Sequence, residues 1–89
     1  MKRVHILVSG IVHGVGFRHS IYSLALIHNV KGWIRNLNYN KLEAVFEGKK
    51  EDVDKLKEFC RKGPFLANVK NINIKEEKFI GEKSFKILK

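Results

Sequence analysis

The stretch Gly10-Ile11-Val12-His13-Gly14-Val15-Gly16-Phe17-Arg18 holds the residue types of an anion site. Glycines let the backbone curl until several N–H groups point into one concavity. A helix that begins there adds its free N–H groups and the positive end of its dipole. Arg18 adds a planar, permanently charged fork that matches phosphate oxygens. The bland reading is a strand-to-helix turn that merely needs glycine, and Gly-x-Gly alone does not decide against it. Arg18 weighs against it without closing it: a cation at a helix start opposes the dipole at a cost of roughly a few tenths of a kcal/mol, and a bound anion would turn that repulsion into joint attraction. The stretch is not a Walker loop, because Phe17-Arg18 follows Gly16 where lysine and a hydroxyl residue would stand. It is not a dinucleotide fingerprint either, because position 19 is histidine.

Asn36 is the second candidate. It falls on a strand face with Val30, Gly32 and Ile34. An amide among apolar neighbours must find hydrogen bonds or lose stability. Capping the turn that follows and holding a water in place both meet that need.

The chain has 89 residues, enough for one domain over 1–89 that buries roughly 60–65% of its unfolded surface. The net charge is +9, and no Asp or Glu precedes Glu43, so the glycine loop lies in a half of the chain without carboxylates. A positive local field there would attract small anions or nucleic acid, and solubility alone is the blander reading. That half also lacks the oxygen ligands that magnesium and calcium need, so the expected chemistry runs without a metal. No run of about 20 apolar residues is present for a membrane span, and no apolar stretch follows the basic N-terminus as in a signal peptide. A single cysteine, Cys60, rules out an internal disulfide and fits a reducing, cytoplasmic compartment.

The elements that must position these residues follow from hydrophobic period. Val4, Ile6 and Val8 alternate in a strand at about 3–9. Ile21, Leu24 and Ala25 mark a helix over about 19–29, closed by Asn29. Residues 30–37 form a second strand and Asn38-Tyr39-Asn40 a tight turn. Leu42, Ala44 and Phe46 alternate in a third strand, which places Glu43 and Glu47 on the opposite face. Val53, Leu56, Phe59 and Cys60 form the buried stripe of a second helix, stopped by Gly63-Pro64. Strands at 69–76 and 84–88 complete the chain. The order strand-helix-strand-strand-helix-strand predicts an α+β, ferredoxin-like βαββαβ sandwich: an antiparallel sheet with two helices on one face. That fold hosts many functions and licenses none by itself.

Gly10-x-Val12-x-Gly14-Val15-Gly16-Phe17-Arg18 followed by Gly32-Trp33-Ile34-Arg35-Asn36 resembles the acylphosphatase signature. The likeness extends to Glu43-Ala44-Val45-Phe46-Glu47-Gly48, to Gly63-Pro64 and to the closing Phe85-x-Ile87, and so spans almost the whole chain. It implies a small enzyme, without metal or cofactor, that hydrolyses acyl phosphates to a carboxylate and inorganic phosphate. It implies that Arg18 is the catalytic, phosphate-binding arginine and Asn36 the water-positioning asparagine. The phosphoryl group would then rest on the N–H groups of His13, Gly14, Val15, Gly16, Phe17 and Arg18. Two departures stand out: His13 where the family commonly has glutamine, and Leu37 where it commonly has threonine. If position 13 supplies mainly its backbone N–H, the first change is mild.

His5, His13, His19 and His28 lack the spacing and companions of a zinc site. Trp33 reads as a sheet or core aromatic, Cys60 as inert packing and Phe65 as part of a helix stop. The rival functions are an RNA-binding module of the same topology and a non-catalytic acylphosphatase-like domain. The first needs exposed aromatics on central strands, whereas Glu43 and Glu47 would repel phosphates there. The expected partners are a small-molecule acyl phosphate and phosphate, with no membrane, no nucleic acid and a monomeric chain.

Overall fold

Alternation in the first strand is realised as β1 (Lys2–Ile11), with Val4, Ile6 and Val8 fully buried on one face. The computed structural model describes residues 1–89. The remaining elements are α1 (Phe17–Ile27), β2 (Lys31–Leu37), β3 (Lys41–Gly48), α2 (Lys50–Lys62), β4 (Asn68–Glu77) and β5 (Phe85–Ile87). The strands lie in the order β4-β1-β3-β2-β5. The ladders of β1 with β3, β1 with β4 and β2 with β3 are antiparallel. β5 instead lies parallel to β2, so the sheet is mixed where an all-antiparallel one was expected. The chain reaches that edge by crossing beneath the sheet from β4. Two backbone bonds fix β5 there, Gly32 N–H to Ser84 O (2.9 Å) and Leu88 N–H to Ile34 O (2.8 Å).

Both helices cover the same face. Ile21 and Ala25 of α1 and Val53, Leu56 and Cys60 of α2 join Val4, Ile6, Val8, Ile34, Leu42, Ala44 and Phe46 in one core. Phe17 packs edge-on against Phe59 at 6.1 Å, tying the start of α1 to α2. Burial of a side chain that size contributes about 2–3 kcal/mol. Cys60 is fully buried, and burial pushes its thiol far above the ordinary range, so it packs as a small apolar group. Phe65, by contrast, is 99% exposed and covers nothing.

The opposite face differs from its sequence reading in one place. Trp33 lies on it half-buried, a sheet aromatic with the Arg35 guanidinium 5.5 Å over its ring. Glu47 also lies on this face but is only 1% exposed. Its carboxylate accepts from the N–H groups of Ile80 (2.8 Å), Gly81 (3.3 Å) and Glu82 (2.7 Å) in the crossing segment, and from Arg3 (3.0 Å). Burial alone would push this carboxyl up; the three amides and the guanidinium outweigh it and hold it below its ordinary 4.5. A depressed carboxylate stabilises the fold above its unfolded value and loses that contribution as pH falls through the folded value. Glu47→Gln should therefore lower Tm by about 10 °C or more at pH 7, from a loss of about 2–4 kcal/mol. Scanned from pH 7 to pH 3, the two melting curves should converge below pH 4.5. Parallel curves across that range would remove Glu47 from the account.

Candidate functional site

β1 and β2 both pair antiparallel with β3, so they run in the same direction and end at the same end of the sheet. The glycine loop leaves the end of β1, and Asn36 stands near the end of β2. The rung Val8–Leu42–Asn36 places them two strand spacings apart, about 10 Å, on the helix-bearing face. α1 begins at this same end. The topology thus gathers residues 13–18 and residue 36 from two strand ends that the sequence separates.

The loop is open in the way an anion cup must be. Gly14 (φ 68°) and Gly16 (φ 81°) are both left-handed, a region that favours glycine, and no atom lies within 4 Å of where their Cβ atoms would stand. The N–H groups of His13, Gly14, Val15 and Gly16 donate no hydrogen bond within the chain. Gly16 is the N-cap of α1 and supplies no side-chain cap, and the first turn holds no acid. α1 starts at Phe17, two residues earlier than its apolar period suggested, which brings Phe17 and Arg18 into that uncapped first turn. Buried Val12 and Phe17, each 1% exposed, anchor the loop at both ends. Phe17 can therefore offer the cup its amide but not its ring, and Val15 packs partly against the core.

Arg18 is half-buried and forms no ion pair, whereas Arg3, Arg35 and Arg61 each hold a carboxylate. Glu43, the first acid in the chain, faces away, bound to His5 (2.6 Å) and Arg35 (2.7 Å) on the other side of the sheet. The guanidinium of Arg18 is committed to no carboxylate of the chain.

The amide oxygen of Asn36 is the one buried side-chain polar atom in the chain without a hydrogen-bond partner. An asparagine kept as a turn cap would spend that oxygen on the turn's backbone. The turn is made instead by Tyr39 (φ 62°) and Asn40 (φ 54°). An orphaned acceptor costs about 1–3 kcal/mol, so the position carries a hydrogen-bonding capacity that folding does not use. Leu37, beside it, contributes no polar group.

One residue has a role that its sequence neighbourhood did not signal. The His13 ring reaches out of the loop to the carbonyl of Lys41, 2.7 Å from Nε2. The other histidines are scattered: His5 on Glu43, His28 3.6 Å from Asp52, and His19 exposed in the first turn of α1. The two cavities, of about 280 and 180 Å³, line the crossing segment and the β5 edge and include no residue of the loop.

The family model for acylphosphatase matches residues 4–87. An acylphosphatase of Syntrophus aciditrophicus is 46% identical over 99% of this chain and 93% of its own length. The crystal structure of acylphosphatase from Bacillus subtilis superposes with a TM-score of 0.93 at 28% identity, covering all of both chains. A structure of an acylphosphatase from Coxiella burnetii gives 0.91 at 32% identity, over 98% of this chain and 92% of its own. Motif, topology and full-length likeness agree: this chain belongs to the acylphosphatase family and is an enzyme that hydrolyses acyl phosphates to a carboxylate and inorganic phosphate.

Proposed function

We propose that the loop amides from His13 to Arg18 and the Arg18 guanidinium hold the phosphoryl oxygens while Asn36 positions the attacking water. The observation that carries this reading is the unpartnered amide oxygen of Asn36 at the same strand end as the uncapped loop. The terminal torsion of asparagine is broad, so the amide turns toward a water at little cost.

Phosphoryl transfer needs positioning and charge stabilisation more than covalent help. The water oxygen bonds to phosphorus from the side opposite the acyl oxygen. The P–O bond to the acyl group breaks, and its electron pair leaves with the carboxylate. The amide of Asn36 is no base near neutral pH, and Glu43 faces away, so the water's proton passes to a phosphoryl oxygen. A carboxylate is already a stable leaving group, and no general acid is required.

The reading extends to a metal-free monomer of the cytoplasm acting on small acyl phosphates. No three His, Cys, Asp or Glu residues are grouped to hold a metal. No helix is long and apolar enough to cross a membrane. A free, buried Cys60 fits a reducing compartment. Hydrolysis of benzoyl phosphate in H₂¹⁸O tests the chemistry: the label should enter inorganic phosphate, in buffer containing a chelator. Label in benzoate would mean attack at the carbonyl carbon and would overturn the mechanism.

A further inference from the structure

His13 is the one residue of the glycine loop whose side chain hydrogen-bonds to another element: its Nε2 lies 2.7 Å from the Lys41 carbonyl. A carbonyl oxygen only accepts, so Nε2 carries the proton, and the neutral ring is held in the Nε2–H form. The place of this bond gives it meaning. The ladder between β1 and β3 ends at the pair Ser9↔Lys41. Beyond it a single backbone bond remains, Gly10 N–H to Asn40 O at 3.1 Å. The His13 ring supplies the next link, by a side chain, after the main chain has turned away into the cup.

The far end of that link lies beside the proposed water site. Lys41 pairs with Leu37, and the next rung pairs Leu42 with Asn36. The bond therefore joins the phosphate cup on one strand end to the hairpin that bears Asn36 on another. Displacement at phosphorus needs the reacting atoms about 3–3.5 Å apart and in line, and an error of 1 Å costs about 10²-fold. Within the loop, residues 13–16 make no backbone bond to the rest of the fold through their N–H groups. Apart from its buried ends at Val12 and Phe17 and the partial packing of Val15, the cup is tied to β3 by this ring, the one side-chain hydrogen bond the loop makes.

We infer that the His13 side chain is a positioning residue that sets the cup against the Asn36-held water. The inference rests on the roles proposed above for Arg18 and Asn36. It adds a side-chain role at position 13 to the backbone N–H offered to the cup.

The test compares His13→Ala and His13→Gln with the wild type, reading kcat, the phosphate inhibition constant and Tm. Alanine keeps the cup's amides and removes the brace. It should lower kcat about tenfold, the effect of a misplacement well under 1 Å. Phosphate inhibition should shift by less than about threefold, because the cup itself is intact. Glutamine carries a side-chain N–H that reaches the same carbonyl, and it should restore most of kcat. In the wild type, ¹⁵N NMR of the neutral His13 ring should show the proton on Nε2. Wild-type kcat in His13→Ala, equal impairment of the glutamine and alanine variants, or a proton on Nδ1 would each overturn the brace. If Arg18→Ala kept wild-type turnover, the site reading would fall and the brace with it. If Arg18→Ala lost turnover and His13→Ala did not, only the brace would fall.

Discussion

Arg18→Ala should lower kcat for benzoyl phosphate by about 10³-fold and weaken phosphate inhibition in parallel. The guanidinium is the one permanent charge in the first turn of α1 and is uncommitted to any carboxylate. A charge pair at about 4 Å and an effective dielectric of about 20 contributes about 4 kcal/mol, and each 1.36 kcal/mol is about tenfold in rate. Arg18→Lys should recover little, because a point charge does not replace a bidentate fork. Folding should be unaffected, since no ion pair is lost and an unfavourable cation at a helix start is removed. An alanine variant that turned over near the wild-type rate would remove Arg18 from the site.

Asn36→Ala should lower kcat by about 10²-fold or more while phosphate binds within about threefold of the wild-type affinity. The two variants should differ because the proposed roles set the two side chains against different reactants. In the proposed site Arg18 holds the phosphoryl group in both ground and transition states, and Asn36 holds only the water. Stability supplies a second signature. The buried amide oxygen of Asn36 has no partner, so its removal relieves a cost and Tm should stay level or rise. Lower activity with equal or greater stability marks a polar group kept for chemistry. A large fall in Tm would mean that Asn36 caps or packs, and phosphate binding lost along with kcat would contradict water positioning.

The loop and its arginine were legible because their signals are local: left-handed geometry at Gly14 and Gly16 needs glycine, and Arg18 is adjacent to them. Alternation at Val4, Ile6 and Val8 and at Leu42, Ala44 and Phe46 marked the core face for the same reason. The start of α1 was misplaced by two residues because Gly16 caps it by backbone conformation alone, without the Ser, Thr, Asp or Asn that marks most helix starts. Glu47 read as a solvent-facing acid because its partners are distant in sequence: Arg3 lies 44 residues before it and Glu82 35 after. The direction of β5 was hidden because three residues of alternation carry no sense of parallel or antiparallel. Trp33 illustrates a related ambiguity, since period 2 assigns it a face but not whether anything covers that face. The link from His13 to Lys41 spans 28 residues and depends on where two strand ends meet. Such long-range choices are made by topology, and a linear pattern does not encode them one residue at a time.

The most direct measurement is the dissociation constant of inorganic phosphate, by calorimetry, for the wild type, Arg18→Ala and Asn36→Ala side by side. The wild type and Asn36→Ala should bind phosphate tightly and Arg18→Ala should lose binding, although both variants should be catalytically impaired. Equal phosphate affinity in all three proteins would contradict the proposed site, because the anion would then be seated somewhere other than the cup closed by Arg18.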